Sequence, residues 1–343
     1  MSKPACALLV IFLTSLLACD NEISSSSQLR RPRLLAVQAE PPNPAFGQST
    51  RLRPLVYLPP GESVTYEWSW CPLPTTSDNG YKCPVDQSAV DNLATRAGLV
   101  GIPPLSLGNT ETIAFTNPFP PALLASLCAG DSTTTSLFLG SASAGMNSEV
   151  FSCSVATLSV QVMLTIRGSI TDTGVVSLRL PVDDTTPGNA NPVIIGVSVV
   201  SPEPARLLDE TGLVTVPRNN KVKLRAGLDP TQAEQYLDRQ LDTAGAYKKD
   251  STGQFILGAT IERMTVFWFS EGGGFVDRST GWGAQDLDGN GQPLAFEVAI
   301  ENDWSTPKRG AYAAPTSLVL VVVHDSRGGV AWTHGTATLE DAP

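Results

Sequence analysis

Short apolar runs, many of them alternating with polar residues, follow one another along most of this chain. They are rich in Val, Leu, Thr and Trp, and clusters of Gly, Pro, Asn and Asp separate them. Alternation with a period of two places successive side chains on opposite faces, as in a strand with one buried face. Spaced strands with frequent turns predict an all-β fold of antiparallel sandwiches.

The strand pattern occurs twice, in the same order. Residues 33–42 (RLLAVQAEPP) and 193–202 (VIIGVSVVSP) are apolar strands that end in proline. A strand with a central tryptophan follows in each half, and each half closes with a long apolar strand and a hairpin. Conserved order with variable spacing predicts two tandem domains whose loops differ in length. The predicted bounds are 33–183 for the first domain, 184–191 for a linker and 192–343 for the second.

The tryptophan strand of the first half has one aromatic face. Val64, Tyr66, Trp68 and Trp70 alternate with polar residues and therefore point to the same side. An exposed aromatic platform for sugars is one interpretation. Regular alternation on a central strand favours the other interpretation, in which these side chains form the core of the sandwich.

An insertion at about 72–152 separates this strand from the closing strands. Within it, residues 120–130 (PPALLASLCAG) predict one short helix, because proline opens the segment and glycine ends it. Leu123, Leu124, Leu127 and Cys128 share one face, which we expect to pack against the sandwich. The remainder of the insertion is polar and is predicted to be loop.

A second insertion lies between Gly227 and Thr260 and supports two interpretations. Residues 229–232 (DPTQ) could cap a helix that runs to about Leu241. A strand across residues 235–237 is the alternative.

The N-terminus has the three parts of a secretory leader. Lys3 supplies a positive charge, and residues 5–18 are apolar but shorter than the roughly 20 residues that span a bilayer. The leader ends in Leu-Leu-Ala-Cys at 16–19, which resembles the lipobox of bacterial lipoproteins. The resemblance implies a signal peptide at 1–18, lipid on Cys19 and attachment to a membrane. The Ser-rich segment at 19–32 is predicted to be a flexible tether.

The other cysteines fall in a compartment that permits disulfides. Cys6 leaves with the leader and Cys19 carries lipid, which leaves an even number in the folded part. Four cysteines can pair in three ways, and we prefer the arrangement in which both disulfides close short local loops. A zinc site is the alternative, disfavoured because no C-x-x-C pair is present. The preferred disulfides are Cys71–Cys83 and Cys128–Cys153.

Two longer segments carry a resemblance to a family. WFSEGGGFVDRSTGW at 268–282 and VVVHDSRGGVAW at 321–332 resemble uncharacterised envelope lipoproteins of myxobacterial type, which combine a lipobox with immunoglobulin-like or PKD-like sandwiches. The resemblance implies that fold and implies no activity. No cysteine precedes Trp68 on the second strand, so the disulfide between strands that marks antibody domains is absent.

Charge argues against nucleic acid as a partner. The formal net charge is −10, and phosphate binding needs a basic face. Arg30, Arg31 and Arg33 form the only basic cluster, which we interpret as the solvated end of the tether.

Residues 286–297 (DLDGNGQPLAFE) match the twelve-residue calcium loop of an EF-hand, with Gly291 at the sharp turn. Calcium is the one cofactor that the sequence suggests. Neither flank is helical in pattern, and Asp, Asn and Gly are equally typical of a plain hairpin turn. The candidate oxygen ligands are Asp286, Asp288, Asn290, Gln292 and Glu297.

The last hairpin is predicted to turn at residues 325–329 (DSRGG). Arg327 at its tip could contact a partner or face solvent, and we favour solvent. His324 and His334 lie on its two arms but out of register, which disfavours a metal pair.

No nucleophile elbow, H-E-x-x-H motif, phosphate loop or dinucleotide motif occurs, so we expect no enzyme. The sequence favours an envelope lipoprotein, at the outer rather than the inner membrane, that displays its domains for binding, adhesion or scaffolding. Its partner would be an unknown envelope protein or a glycan. A carbohydrate-binding or carbohydrate-active accessory module is one alternative, and a structural component of a secretion or envelope assembly is another.

Overall fold

Strands dominate the folded chain. The structure is a computed structural model that describes residues 27–73, 75, 77–129, 153, 157–183, 188–240, 248–251, 256–283 and 295–341. The sheets separate into two sets, one formed by residues 33–181 and the other by residues 194–340. The predicted all-β class is confirmed.

The first sandwich packs a three-stranded sheet against a four-stranded sheet. Its strands are β1 (Arg33–Glu40), β2 (Ser49–Tyr57), β3 (Thr65–Cys71), β4 (Ser106–Gly108), β5 (Ile113–Thr116), β6 (Thr157–Arg167) and β7 (Thr171–Pro181). The sheet orders are β1-β2-β5 and β4-β3-β6-β7, with every pair antiparallel. Two packed sheets with the tryptophan strand beside the two closing strands are the immunoglobulin-like arrangement.

The tryptophans of β3 fill this core. Trp68 and Trp70 are 0% and 1% exposed, and the ring of Trp70 lies 5.5 Å from that of Phe115. The Trp68 Nε1 donates to the Thr110 carbonyl at 2.8 Å, which satisfies its polar end. The core interpretation is therefore correct for Trp68 and Trp70, whose rings solvent does not reach, while Val64 and Tyr66 on the same face are partly buried and pack against that core.

Among the described residues, two helices pack on this core, one more than the sequence predicts. They are α1 (Gln87–Ala97) and α2 (Pro121–Cys128), and α2 buries Leu124 and Leu127 as expected. The additional helix α1 begins at Asp86, whose carboxylate accepts from the Ala89 amide, and ends at Gly98 with φ +63°. The segment predicted as an insertion also supplies β4 and β5, which are too short to show a clear alternation.

The second sandwich repeats this plan. Its strands are β8 (Ile194–Ser201), β9 (Arg206–Leu208), β10 (Val214–Pro217), β11 (Lys221–Leu228), β14 (Met264–Ser270), β15 (Gly274–Phe275), β16 (Ser279–Trp282), β17 (Glu301–Ser305), β18 (Thr316–Asp325) and β19 (Val330–Glu340). The sheet orders are β15-β17-β11-β8-β9 and β10-β19-β18-β14-β16. Trp268 of β14 and Trp304 of β17 are both fully buried.

One pairing within the sandwich is parallel, where the sequence predicted only antiparallel pairs. β10 runs alongside the last strand, β19, in the same direction. The chain crosses from one sheet to the other between β9 and β10. β10 therefore enters the second sheet at its edge, beside β19, and runs in the same direction as that strand.

A separate two-stranded hairpin stands between β11 and β14. It consists of β12 (Gln235–Arg239) and β13 (Leu257–Ile261). The strand interpretation of this insertion is therefore correct and the helix is wrong. Asp229 caps only a 3-10 turn at Pro230–Gln232, and Ala233 then takes an extended conformation. A final short helix, α3 (Phe296–Ala299), precedes β17.

Candidate functional site between the two sandwiches

An apolar cluster joins the two sandwiches into one body. Ala36 of β1 packs with Phe269, Leu320 and Val322, which lie on the outer face of the β14-β18 sheet. Burying apolar surface of this kind favours association. Consecutive domains with a small polar contact move relative to each other, whereas an apolar contact holds them together.

The end of the predicted tether is part of this contact. Leu29 is 2% exposed, and its amide donates to the Ser270 carbonyl at 2.8 Å. The Ser270 amide donates in turn to the Ser27 carbonyl at 3.0 Å, and the Gln28 side chain donates to the Gly273 carbonyl at 2.7 Å. The prediction of a flexible tether is thus wrong for residues 27–29, which pair in parallel alongside Ser270 at the C-terminal end of β14.

Polar contacts surround the apolar cluster. The Tyr57 hydroxyl donates to Glu271 Oε1 at 2.9 Å. Burial, together with this hydrogen bond to Glu271, raises the pKa of Tyr57 above its usual value. Asn191 bridges the other side, where it donates to the Ala39 carbonyl and accepts from the Val330 amide, both at 2.8 Å. These bonds connect the two sandwiches at opposite sides of the contact.

Arg327 is buried at this junction, so the prediction that it faces solvent is wrong. Its side chain is 6% exposed and donates to Glu234 Oε2 at 2.5 Å and to the Gly188 carbonyl at 2.9 Å. Its second carboxylate partner, Glu262 Oε1, lies 3.4 Å away. The turn does occur at 326–329, but the β12-β13 hairpin lies over it and Tyr236 stacks on the guanidinium at 5.4 Å.

Glu262 is the most perturbed carboxyl at the junction. Burial raises its pKa to about 7, the charge of Asp325 adds to the increase, and the Glu234 amide and Arg327 oppose it. Asp325 accepts from the amides of Arg327 and Gly329 at 2.7 and 2.8 Å, which fixes the turn. A Cβ at Gly329 would come within 2.1 Å of that carboxylate, so only glycine fits there.

Two clefts open on either side of β1, between the sandwiches. One, of about 340 Å³, is lined by β1, β7 and the hairpin turn. The other, of about 470 Å³, is lined by Ser27, Arg33, Leu35, Phe267, Phe269, Arg278 and Ser279, together with neighbouring residues. His324 and Leu35 border both clefts, and burial lowers the pKa of His324 while the charge of Asp325 opposes this change.

The four cysteines of the folded part form two disulfides. Cys71 is bonded to Cys83 and Cys128 to Cys153, with sequence separations of 12 and 25 residues. These are the pairings preferred from the short loops that they close. The second bond also lies near the junction, because Arg239 of β12 donates to the Cys153 carbonyl at 3.2 Å.

The remaining sequence-predicted sites are placed as follows. The candidate ligands Asp286, Asp288, Asn290 and Gln292 lie outside the described residues, while Glu297 is exposed on α3. His324 faces Val330 and His334 faces Leu320, so the two histidines are not paired. No group of three or more His, Cys, Asp or Glu side chains in the described ranges is arranged to hold a metal.

The membrane attachment rests on residues that the structure does not describe. Cys19 lies in the segment before residue 27. Within the part of the chain that is described, no helix has both the length and the apolar character needed to cross a bilayer.

Comparisons with known proteins add no family. No protein-family model and no curated protein matches the sequence. Similar solved structures include murine CEACAM1b (10% identity, covering 90% of this chain and 100% of that chain, TM-score 0.21). The three N-terminal domains of the outer capsid protein Hoc of bacteriophage RB49 are 9% identical, with 91% of this chain and 71% of that chain covered and a TM-score of 0.21. The Ig1-2 module of the Drosophila receptor protein tyrosine phosphatase DLAR is 9% identical, with 92% of this chain and 100% of that chain covered and a TM-score of 0.20. TM-scores this low support no structural argument, so the fold class rests on the strand order of the chain itself.

Proposed function

We propose that this protein is a lipid-anchored envelope protein whose two immunoglobulin-like sandwiches act as one rigid unit for binding or adhesion. The observation that carries the proposal is the junction itself. An apolar cluster, the docked segment 27–29 and the buried Arg327 contacts hold the two domains in one orientation. A rigid pair of domains presents a fixed surface, and preorganisation of this kind lowers the entropic cost of binding.

The strongly perturbed carboxyl of the junction does not favour an enzyme. A catalytic acid needs a raised pKa and also contact with the substrate. Glu262 has the raised pKa but is 1% exposed, beneath the β12-β13 hairpin. Its role is therefore structural.

A protein partner is favoured over a glycan. Sugar-binding sites commonly use exposed aromatic rings, whereas four of the six tryptophans are buried in the two cores. The other two, Trp282 and Trp332, are partly buried, against Phe296 and Arg53 respectively. The β12-β13 hairpin instead turns an apolar face outward. Leu237, Leu257 and Ile261 are 59%, 41% and 42% exposed on that face. A contiguous exposed apolar patch commonly marks a site of protein contact, whereas single exposed apolar residues do not.

The position of this face fits a partner beyond the membrane. The chain outside the described structure joins it at Ser27, which lies beside Ser270 at the C-terminal end of β14. The hairpin precedes Met264 at the other end of β14, about 20 Å away at the usual rise per residue. An anchor at one end leaves the apolar face at the other end accessible to another envelope protein.

The anchor is tested by Cys19→Ser. We expect the wild-type chain to carry the mass of a lipid-modified N-terminal cysteine, and the variant to lose that mass and leave the membrane fraction. Intact mass spectrometry and separation of the inner and outer membranes provide both readouts. A wild-type chain with an unmodified Cys19 would contradict the anchor.

The binding surface is tested by a photo-crosslinking residue at position 237. We expect a discrete crosslinked protein in intact cells, because Leu237 lies at the centre of the outward face. The same residue at position 210 is the matched control, since the Glu210 side chain is 82% exposed and distant in sequence from the hairpin. Equal crosslinking at both positions, or none at 237, would contradict a partner on this face.

A further inference from the structure

The β12-β13 hairpin joins the rest of the chain through a narrow base. Glu234 precedes β12 and Glu262 follows β13. The Glu262 amide donates to the Glu234 carbonyl at 3.0 Å, and the Glu234 amide donates to Glu262 Oε2 at 3.1 Å. Among the described residues, β12 and β13 pair only with each other. The position of the hairpin therefore depends on this base and on side-chain contacts.

Both residues of the base contact the same buried cation. Arg327, in the turn of the last hairpin, donates to Glu234 Oε2 and lies 3.4 Å from Glu262 Oε1. Tyr236 of β12 stacks on that guanidinium, and its hydroxyl forms a hydrogen bond with Ser326 Oγ at 3.3 Å. The hairpin is thus held against the last hairpin mainly through Arg327.

The hairpin also reaches across the junction of the two sandwiches. Arg239 at the end of β12 donates to the Cys153 carbonyl of the first sandwich at 3.2 Å. In the described part of the chain, no residue of β12 or β13 belongs to either sandwich core or to the apolar cluster between the sandwiches. Elements with few buried apolar contacts open locally at low cost. The hairpin can therefore lift while both cores stay folded.

Three carboxyl groups meet beneath the hairpin, together with the Arg327 guanidinium. They belong to Glu234, Glu262 and Asp325. The elements packed here also carry other titratable or charged residues, namely Tyr236, Asp238, Arg239 and Arg263 at the hairpin, His324 of β18 and Arg179 of β7. Glu262 is 1% exposed, and burial, increased by the charge of Asp325, raises its pKa to about 7.

Ionisation of Glu262 therefore opposes the closed hairpin. In the closed form the charge is shielded from water and lies near two other carboxyl groups. Water reaches this charge when the hairpin lifts, which restores its hydration. A carboxyl whose pKa is higher in the closed form than in the open form favours closure at low pH, and that preference is lost as the pH rises through the higher pKa.

We propose that the β12-β13 hairpin is a pH-sensitive latch, closed over Arg327 in mildly acidic surroundings and lifted in mildly alkaline ones. When closed, it holds the outward face of Leu237, Leu257 and Ile261 in a fixed position across the junction. When lifted, it releases that face and its contact with the first sandwich. The proposal rests on the proposed function only for the use of that face, because the latch itself needs no partner.

Native-state hydrogen exchange of the full chain, followed by mass spectrometry at pH 5.5 and 8.5, tests the latch. After correction for the intrinsic pH dependence of exchange, we expect the protection of amides 235–239 and 257–261 to fall by about 30-fold. This change follows from pKa values of 4.5 in the open form and about 7 in the closed form. Urea at about 1 M should accelerate this exchange little, because local opening exposes little surface, and should accelerate exchange in β18 strongly.

Glu262→Gln isolates the ionisation. Glutamine stays neutral and can still accept from the Glu234 amide, so the protection of the hairpin should hardly change between the two pH values. Glu301→Gln is the matched control. Glu301 is also a largely buried carboxyl, with a side chain 12% exposed, but it pairs with Lys223 and Arg225 of β11. This control should keep the pH dependence of the wild type.

Three results would overturn the latch. The first is constant protection of the hairpin amides between pH 5.5 and 8.5. The second is protection and urea dependence equal to those of β18, because the hairpin would then open only when the whole chain unfolds. The third is a pH dependence that persists in Glu262→Gln. Crosslinking at position 237 reports the partner independently, so a failed latch and a failed binding surface are distinguishable.

Discussion

Arg327→Met is expected to lower the free energy of unfolding by about 3–5 kcal/mol, the usual cost of removing one partner from a buried ion pair. The loss arises because Glu262 and Glu234 keep their carboxylates next to each other without the cation that contacts both. Methionine retains much of the apolar length of the side chain, so packing changes little. Urea denaturation at pH 8, where the carboxylates are ionised, measures the effect.

Arg309→Met is the matched control for this substitution. Arg309 also pairs with a carboxylate, Asp341, at 2.7 Å, but its side chain is 79% exposed. Exposed ion pairs contribute about 0–1 kcal/mol. A loss at Arg327 no larger than that at Arg309 would show that the junction does not depend on this arginine.

The second large effect is a pH dependence that originates at Glu262. Its pKa in the folded chain is about 7, against an ordinary value of 4.5, so folding favours the protonated form. The stability that this group contributes is complete below about pH 4.5 and is lost as the pH rises through 7. A difference of this size corresponds to about 3 kcal/mol between the two ends of that window.

Glu262→Gln isolates this contribution. Glutamine is neutral throughout and can still accept from the Glu234 amide, which donates to Glu262 Oε2 at 3.1 Å. We expect the variant to match the wild type near pH 5 and to be more stable at pH 8. Free energies of unfolding measured at both pH values give the comparison, and parallel pH profiles for the two proteins would contradict the assignment.

Both effects concern the same structural role. The Arg327 cluster lies where the β12-β13 hairpin, the last hairpin and the segment that joins the two sandwiches meet. Weakening it should release the hairpin that carries the apolar face and loosen the cleft between the domains. The surface that we propose for binding therefore depends on buried charge rather than on the two sandwich cores.

The sequence alone determined the local features of the fold. Alternation identified β3 with its inward tryptophans, because a strand with one buried face has a period of two, and the repeated order of strands identified β14 as its counterpart. Helix α2 was predictable because it carries both an apolar face and a proline start. The disulfides Cys71–Cys83 and Cys128–Cys153 were also predictable, because closing a short loop between near neighbours in sequence costs little entropy.

The sequence pattern did not predict β4, β5 or α1, because the local pattern of apolar and polar residues is weak in each of them. β4 and β5 have three and four residues, too few for a period to show, and they pair only because β3 and β2 are already in place. Helix α1 buries only Val90 and Leu93 among its eleven residues, and its Asp86 and Gly98 caps are equally typical of loops.

Only the tertiary structure decided what the candidate site contains. Arg327 lies in a turn sequence typical of exposed hairpins, and it is buried because an insertion some 90 residues earlier in the chain folds over it. Likewise Arg33 and Arg278 share a cleft because residues 27–29 dock on β14 and direct β1 across the second sandwich. Burial and charge at a domain junction depend on contacts between distant segments, and no pattern within one segment records them.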